Sequence, residues 1–84
     1  MVNFFEEQGV LTCTFGEQMN TAACTEVEAE LFDHIDNHTG MIVFDLKDVV
    51  YVASSFLRLC IASVKKVGSD RFNVVNVSKT PKKF

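Results

Sequence analysis

Tryptophan is absent from this 84-residue chain, proline occurs once and glycine four times. So little Pro and Gly excludes a collagenous or low-complexity chain. Cysteine is sparse and odd in number, and Cys13, Cys24 and Cys60 lack Cys-x-x-Cys spacing. That argues against a disulfide framework or a cysteine-based zinc site, and for reduced thiols in a cytoplasmic protein. All three lie in apolar or helical patterns, where free cysteine behaves as a small core residue. Apolar runs are short, Met41–Phe44 being typical, far from the roughly 20 residues that span a bilayer. The opening MVNFFEE has no basic segment followed by an apolar one, so no signal peptide is expected. Nor does any glycine-rich phosphate loop occur.

Lysine and arginine are missing from residues 1–40, which carry eight acids, while residues 41–84 hold all eight bases and three acids. The first half is thus strongly acidic and the second basic, beneath a net charge of −3. We read the split as a solvated acidic helix followed by a basic tail; it also suits association of copies through opposite charges. A net acidic chain lacks the basic footprint that nucleic acid demands.

What the chain does have is hydrophobic residues, 48% of the total and including eight Phe, enough to supply one core. The length allows a single domain, 1–84. Ordering costs roughly 1.5 kcal/mol per residue, so burial must offset nearly all of it. Two strands meet near Gln8-Gly9. In the second, Leu11, Cys13 and Phe15 alternate with Thr12 and Thr14, the period of a half-buried strand. Asn20 or Thr21 caps a helix running to about Asn37, with Val27, Leu31 and Ile35 as its buried stripe. Gly40 then serves as its C-terminal glycine. Met41–Phe44 is apolar at every position, which predicts a central strand covered on both faces. Val49–Val52 is a short extended piece. A second helix runs from Ser55 to about Lys66, with Leu57, Ile61 and Val64 facing inward, and Gly68 ends it. Phe72–Val77 is a last strand and Ser78–Phe84 a basic tail. Strands alternating with helices imply an α/β fold with parallel βαβ crossovers.

The pair Ser54-Ser55 sits at the seam between two apolar segments. Serine there can simply cap the second helix. The same position also presents unpaired amides and a partial positive charge, which accommodate a phosphoryl group. Such a group adds roughly −1.5 to −2 charges at neutral pH. Under a partner's apolar surface an unpaired charge costs several kcal/mol, enough to end a complex, since about 1.4 kcal/mol is tenfold in affinity. Phe56 and Arg58 are residue types that anchor interfaces, and Phe56 is expected to be exposed. His34 and His38, four apart, could reach one metal, but no third ligand is evident and no metal is expected. Asp45 and Asp48 end a central strand, where α/β active sites tend to lie. With no nucleophile–base pair nearby, no catalytic residue is assigned and no enzyme is expected.

The segment from Val43 to Ser78 resembles the core of the STAS domain, the fold of bacterial anti-sigma-factor antagonists. Members show an apolar strand ending in Asp, a short extended approach, then Asp-Ser-Ser-Gly-Leu opening a helix. Val43–Leu46 is similar to the strand, Tyr51-Val52 to the approach, and Ala53-Ser54-Ser55-Phe56-Leu57 to the signature. Thr14–Thr21 resembles the family's earlier Gly-Glu stretch before its first helix. The resemblance implies a mixed, largely parallel sheet of four to five strands with βαβ crossovers, the family's C-terminal helix being missing or truncated. It implies a non-catalytic regulator, without cofactor or membrane insertion, that binds an anti-sigma factor acting as a serine kinase and so controls transcription. It also implies phosphorylation at the second signature serine, Ser55, with Ser54, Phe56 and Arg58 in the partner contact. Ala53 stands where the family has aspartate. Phe56 stands where it has glycine, so a large ring is expected to crowd the hydroxyl. Surface left uncovered by a missing helix predicts a homodimer. Two other roles known within the family are an accessory subunit of a transporter complex and a small-ligand sensor for nucleotide or lipid.

Overall fold

The computed structural model describes residues 2–76. β1 (Val2–Glu7) and β2 (Val10–Phe15) form an antiparallel hairpin. Its two-residue turn, Gln8-Gly9, has positive φ at both positions (54° and 80°), the backbone of a tight primed turn matched to strand twist. β3 (Gln18–Met19) is followed by α1 (Thr21–Asp36), β4 (Met41–Asp45), β5 (Tyr51–Val52) and α2 (Ser54–Val67). A single 3₁₀ turn, Ser69–Arg71, leads into β6 (Phe72–Val75). The main sheet has the order β1-β2-β4-β6, with β2, β4 and β6 parallel; β3 and β5 make a separate two-stranded parallel sheet. This is the mixed, largely parallel α/β architecture the sequence implied, with the short extended piece before α2 now seen as β5. The expected last strand stops at Val75, because Asn76 turns the chain with φ 60°; Val77 and the tail Ser78–Phe84 lie outside the described residues.

Register places Leu11 beside Ile42 and Cys13 beside Phe44, with Phe72 and Val74 next along. Side chains alternate across a strand, so these residues share one face. That face meets Cys24, Val27, Leu31 and Ile35 of α1 and Phe56 and Leu59 of α2 in one core. Val27, Leu31 and Ile35 are buried as their spacing predicts. Coverage of β4 on both faces is not what the structure has. Ile42 and Phe44 are buried, whereas Met41 and Val43 on the reverse face are only half-buried, and Phe5 there is 61% exposed. Both helices pack on the same side of the sheet, leaving the reverse face open among the described residues.

Gly40 also has a different role from the one its sequence position suggested. Asn37 caps α1, its amide donating to the Asp33 carbonyl and the next amide, His38, to that of Ile35. Gly40 instead passes so close to the hairpin turn that a Cβ there would strike the Gly9 carbonyl. That carbonyl accepts from the Met41 amide (3.1 Å) and faces His38 Nε2 (3.1 Å), so the turn is tied to the entry of β4. Gly68 ends α2 as expected, at φ 91°.

Candidate functional site

The two-stranded sheet β3–β5 is what builds the site. Its register pairs Met19 with Val52, both buried, so the residues that follow, Asn20 and Ala53, become the N-caps of α1 and α2 side by side. The Ala53 amide donates to the Met19 carbonyl (2.9 Å), and the amides of Val50 and Tyr51 both donate to the Glu17 carbonyl (2.7 and 3.1 Å). Two helices are thereby started from neighbouring points. Asn20 caps α1 through its side chain, which accepts from the Ala23 amide at 2.9 Å, as either Asn20 or Thr21 was expected to do. Ala53 has no acceptor to offer α2.

Neither serine is therefore the cap. Ser54 is the first residue of α2 and Ser55 the second. Ser54 is exposed, and its hydroxyl makes no hydrogen bond among the described residues. Ser55 is half-buried, its hydroxyl donating to Thr21 Oγ1 across the helix pair at 3.3 Å. Ser55 also lines a groove of about 290 Å³ between the helices, with Cys24, Glu28 and Phe32 on α1 and Arg58 and Ala62 on α2. Arg58 is exposed and has no ion pair among the described residues. Lys66 bonds Asp36 across the helix pair (3.2 Å) and lies over the ring of Phe32 (5.0 Å), which lines the groove.

Phe56 is not at this surface. It is 1% exposed, set edge-on to Phe15 at 5.0 Å between ring centroids and tilted against Phe44 at 6.4 Å. The expected exposed anchor is thus a core residue, and its ring turns inward, away from the groove, without crowding the Ser55 hydroxyl. The inward stripe of α2 is Phe56, Leu59 and Ser63. Leu57 and Ile61, expected inside, are exposed. Ser63 is what misled the periodicity. It is fully buried because its hydroxyl returns a hydrogen bond to the Leu59 carbonyl at 2.8 Å, leaving no unpaired polar group. Thr21 and the α1 wall of the groove were not found from the sequence either, because nothing in a two-residue strand announces the β3–β5 pairing that brings them there.

The remaining candidates are held in structural contacts. His34 stacks on Phe4 (centroids 3.7 Å apart) with Nδ1 3.0 Å from the Glu30 carbonyl, and His38 lies between the Gly9 carbonyl and Glu6 Oε2 (Nδ1 to Oε2 3.6 Å). Asp45 accepts from the Lys47 amide (3.0 Å) and Asn76 Nδ2 (2.7 Å), fixing the exits of β4 and β6. Among the described residues no three His, Cys, Asp or Glu side chains cluster to hold a metal. No helix there is long and apolar enough to cross a membrane. Burial pushes the Cys13 and Cys60 thiols up to about 12, and burial raises Cys24 too, so all three favour the neutral thiol.

A four-stranded mixed sheet, two helices on one face, and a serine pair opening the second helix together define a STAS-type fold. Consistent with this, the chain superimposes on the phosphorylated form of the Bacillus cell-fate determinant SpoIIAA with a TM-score of 0.69, over 89% of this chain and 69% of that one, at 9% sequence identity. No protein-family model matches the sequence, and no curated protein matches it. At such identity the likeness is one of fold.

Proposed function

We propose that this chain is a bacterial, cytoplasmic STAS-domain regulator that acts by binding an anti-sigma factor with serine-kinase activity, and that Ser55 is its switch. The observation that carries this reading is the placement of Ser54 and Ser55 in the first turn of α2 beside an open groove. It is supported by a fold shared with SpoIIAA, a protein known in a phosphorylated form. The contact surface is Ser54, Ser55 and Arg58, with Phe56 holding it from beneath. The chain does no chemistry itself. The partner would transfer the γ-phosphoryl group of ATP to Ser55 Oγ, releasing ADP, and take up the hydroxyl proton. The added charge of roughly −1.5 to −2 would displace the bond to Thr21 and put a phosphate at the partner's surface, where desolvation of a charge is costly. Arg58, one turn on, is placed to hold it.

The direct test is incubation with a serine kinase of the anti-sigma class and ATP, followed by intact-mass measurement and binding assays on variants. One phosphoryl group is expected, lost in Ser55→Ala. Ser55→Asp should bind the unloaded kinase at least about tenfold more weakly than Ser55→Ala. An unmodified chain, together with equal binding by the two variants, would remove the switch.

A further inference from the structure

Besides its buried stripe, α2 carries a second apolar row that faces outward, on the side away from α1. Leu57 and Ile61 are 38% and 56% exposed, and Val64 is half-buried. They recur at i, i+4 and i+7, so they fall on one line along the helix. Cys60, Ile61, Val64 and Lys65 line a shallow, open depression of about 290 Å³ whose exposed lining is entirely apolar. Arg58 and Lys65, seven residues apart, run along one edge of the row. Both are exposed, and neither has an ion pair among the described residues. An apolar row with a cationic edge is complementary to an apolar row with an anionic edge.

Antiparallel pairing of α2 with the α2 of a second copy does not satisfy that requirement. It would set the Arg58 and Lys65 flanks of the two copies against one another, like charge on like. The chain's own acidic helix does not serve either, since the exposed face of α1 presents Glu26, Ala29, Glu30 and Asp33, with nothing larger than alanine to fill the depression. We propose that the outer face of α2 is the docking surface for an acidic amphipathic helix of a different protein, its apolar side on Leu57, Ile61 and Val64 and its carboxylates opposite Arg58 and Lys65. This contact shares only Arg58 with the α1–α2 groove, lies on the other side of that residue, and does not require that Ser55 be modified.

The probe is a fluorescein-labelled, helix-stabilised peptide with leucines at i, i+4 and i+7 and glutamates along one flank. A second peptide of the same design carries lysines in place of the glutamates. Fluorescence anisotropy with the full chain should show saturable binding of the acidic peptide and at least about tenfold weaker binding of the basic one. Ile61→Glu should abolish binding, and Arg58→Glu with Lys65→Glu should reverse the preference between peptides. Unchanged circular dichroism melts would establish that these surface variants are folded. Amide shifts in a ¹⁵N spectrum should centre on residues 57–65. Equal binding of both peptides, an unreversed preference in the double variant, or shifts centred on the α1 wall of the groove, residues 24–32, would each overturn the proposal. So would binding of anionic phosphatidylserine vesicles that the acidic peptide fails to displace, since that would make the row a membrane surface.

Discussion

Ala53 has the backbone angles of an N-cap (φ −88°, ψ 167°) but a methyl group where a cap needs an acceptor. The carbonyl of Ala53 already takes the Phe56 amide (2.9 Å), which leaves the early amides of α2 without a side-chain partner. A carboxylate here would accept one of them and sit at the positive end of the helix dipole. Ala53→Asp is therefore expected to raise stability by about 0.5–2 kcal/mol, seen as a higher urea midpoint with an unchanged slope. An unchanged or lower midpoint would mean that the β3–β5 pairing, and not the cap, determines how α2 begins. The same residue bears on the proposed switch. The Ser55 hydroxyl is oriented by Thr21, a neighbour 34 positions away, and not by the residue before the serines. The local signature alone understates how this hydroxyl is held.

At the scale of the element, the rotation of α2 about its axis decides which side chains are core and which are surface. Phe56 is enclosed by Phe15 and Phe44, while Leu57, one step on and about 100° around the helix, looks outward. Phe56→Ala should cost about 3–5 kcal/mol, comparable to the whole stability of a domain this small, whereas Leu57→Ala should stay within about 0.5 kcal/mol. Thermal melts of the two variants check this; similar losses in both would mean that the helix is rotated from the position described. The contrast also marks what could be read from sequence. α1 was legible because Val27, Leu31 and Ile35 are apolar and their intervening acids polar, so pattern and burial agree. In α2 the inward stripe contains Ser63, a residue the pattern assigns to solvent, and the outward row contains leucine and isoleucine, which it assigns to the core. The first exception has a physical cause, a hydroxyl satisfied within its own helix; the second is the row proposed above as a docking face. β1 and β2 were legible from Gln8-Gly9 and from the alternation in β2, and β4 from its unbroken apolar run. The reverse face of β4 was not, because an apolar strand reads the same whether one or both of its faces are covered.

For the whole molecule, the split in charge becomes a split between neighbouring surfaces. The acids of α1 are solvated, and Lys66–Asp36 joins the two helices at their far ends. Among the described residues every carboxylate is at least partly in solvent, and the groups whose ionisation burial opposes are the thiols. Cys13 in β2 and Cys60 in α2 are held near 12, against an ordinary 9.0, by removal from water. When a group's folded value lies above its unfolded one, the folded state keeps protons that the unfolded state sheds at alkaline pH. Stability from this source is full below about pH 9 and declines as pH rises towards 12. Urea midpoints measured in reductant from pH 7.5 to 10.5 should hold level and then fall above pH 9, and the fall should be shallower in a Cys13→Ala, Cys60→Ala double variant than in the parent. Lysine and tyrosine ionise in both proteins, so the difference between the two slopes isolates the thiols. Parallel slopes would show that the fold does not hold these two thiols neutral.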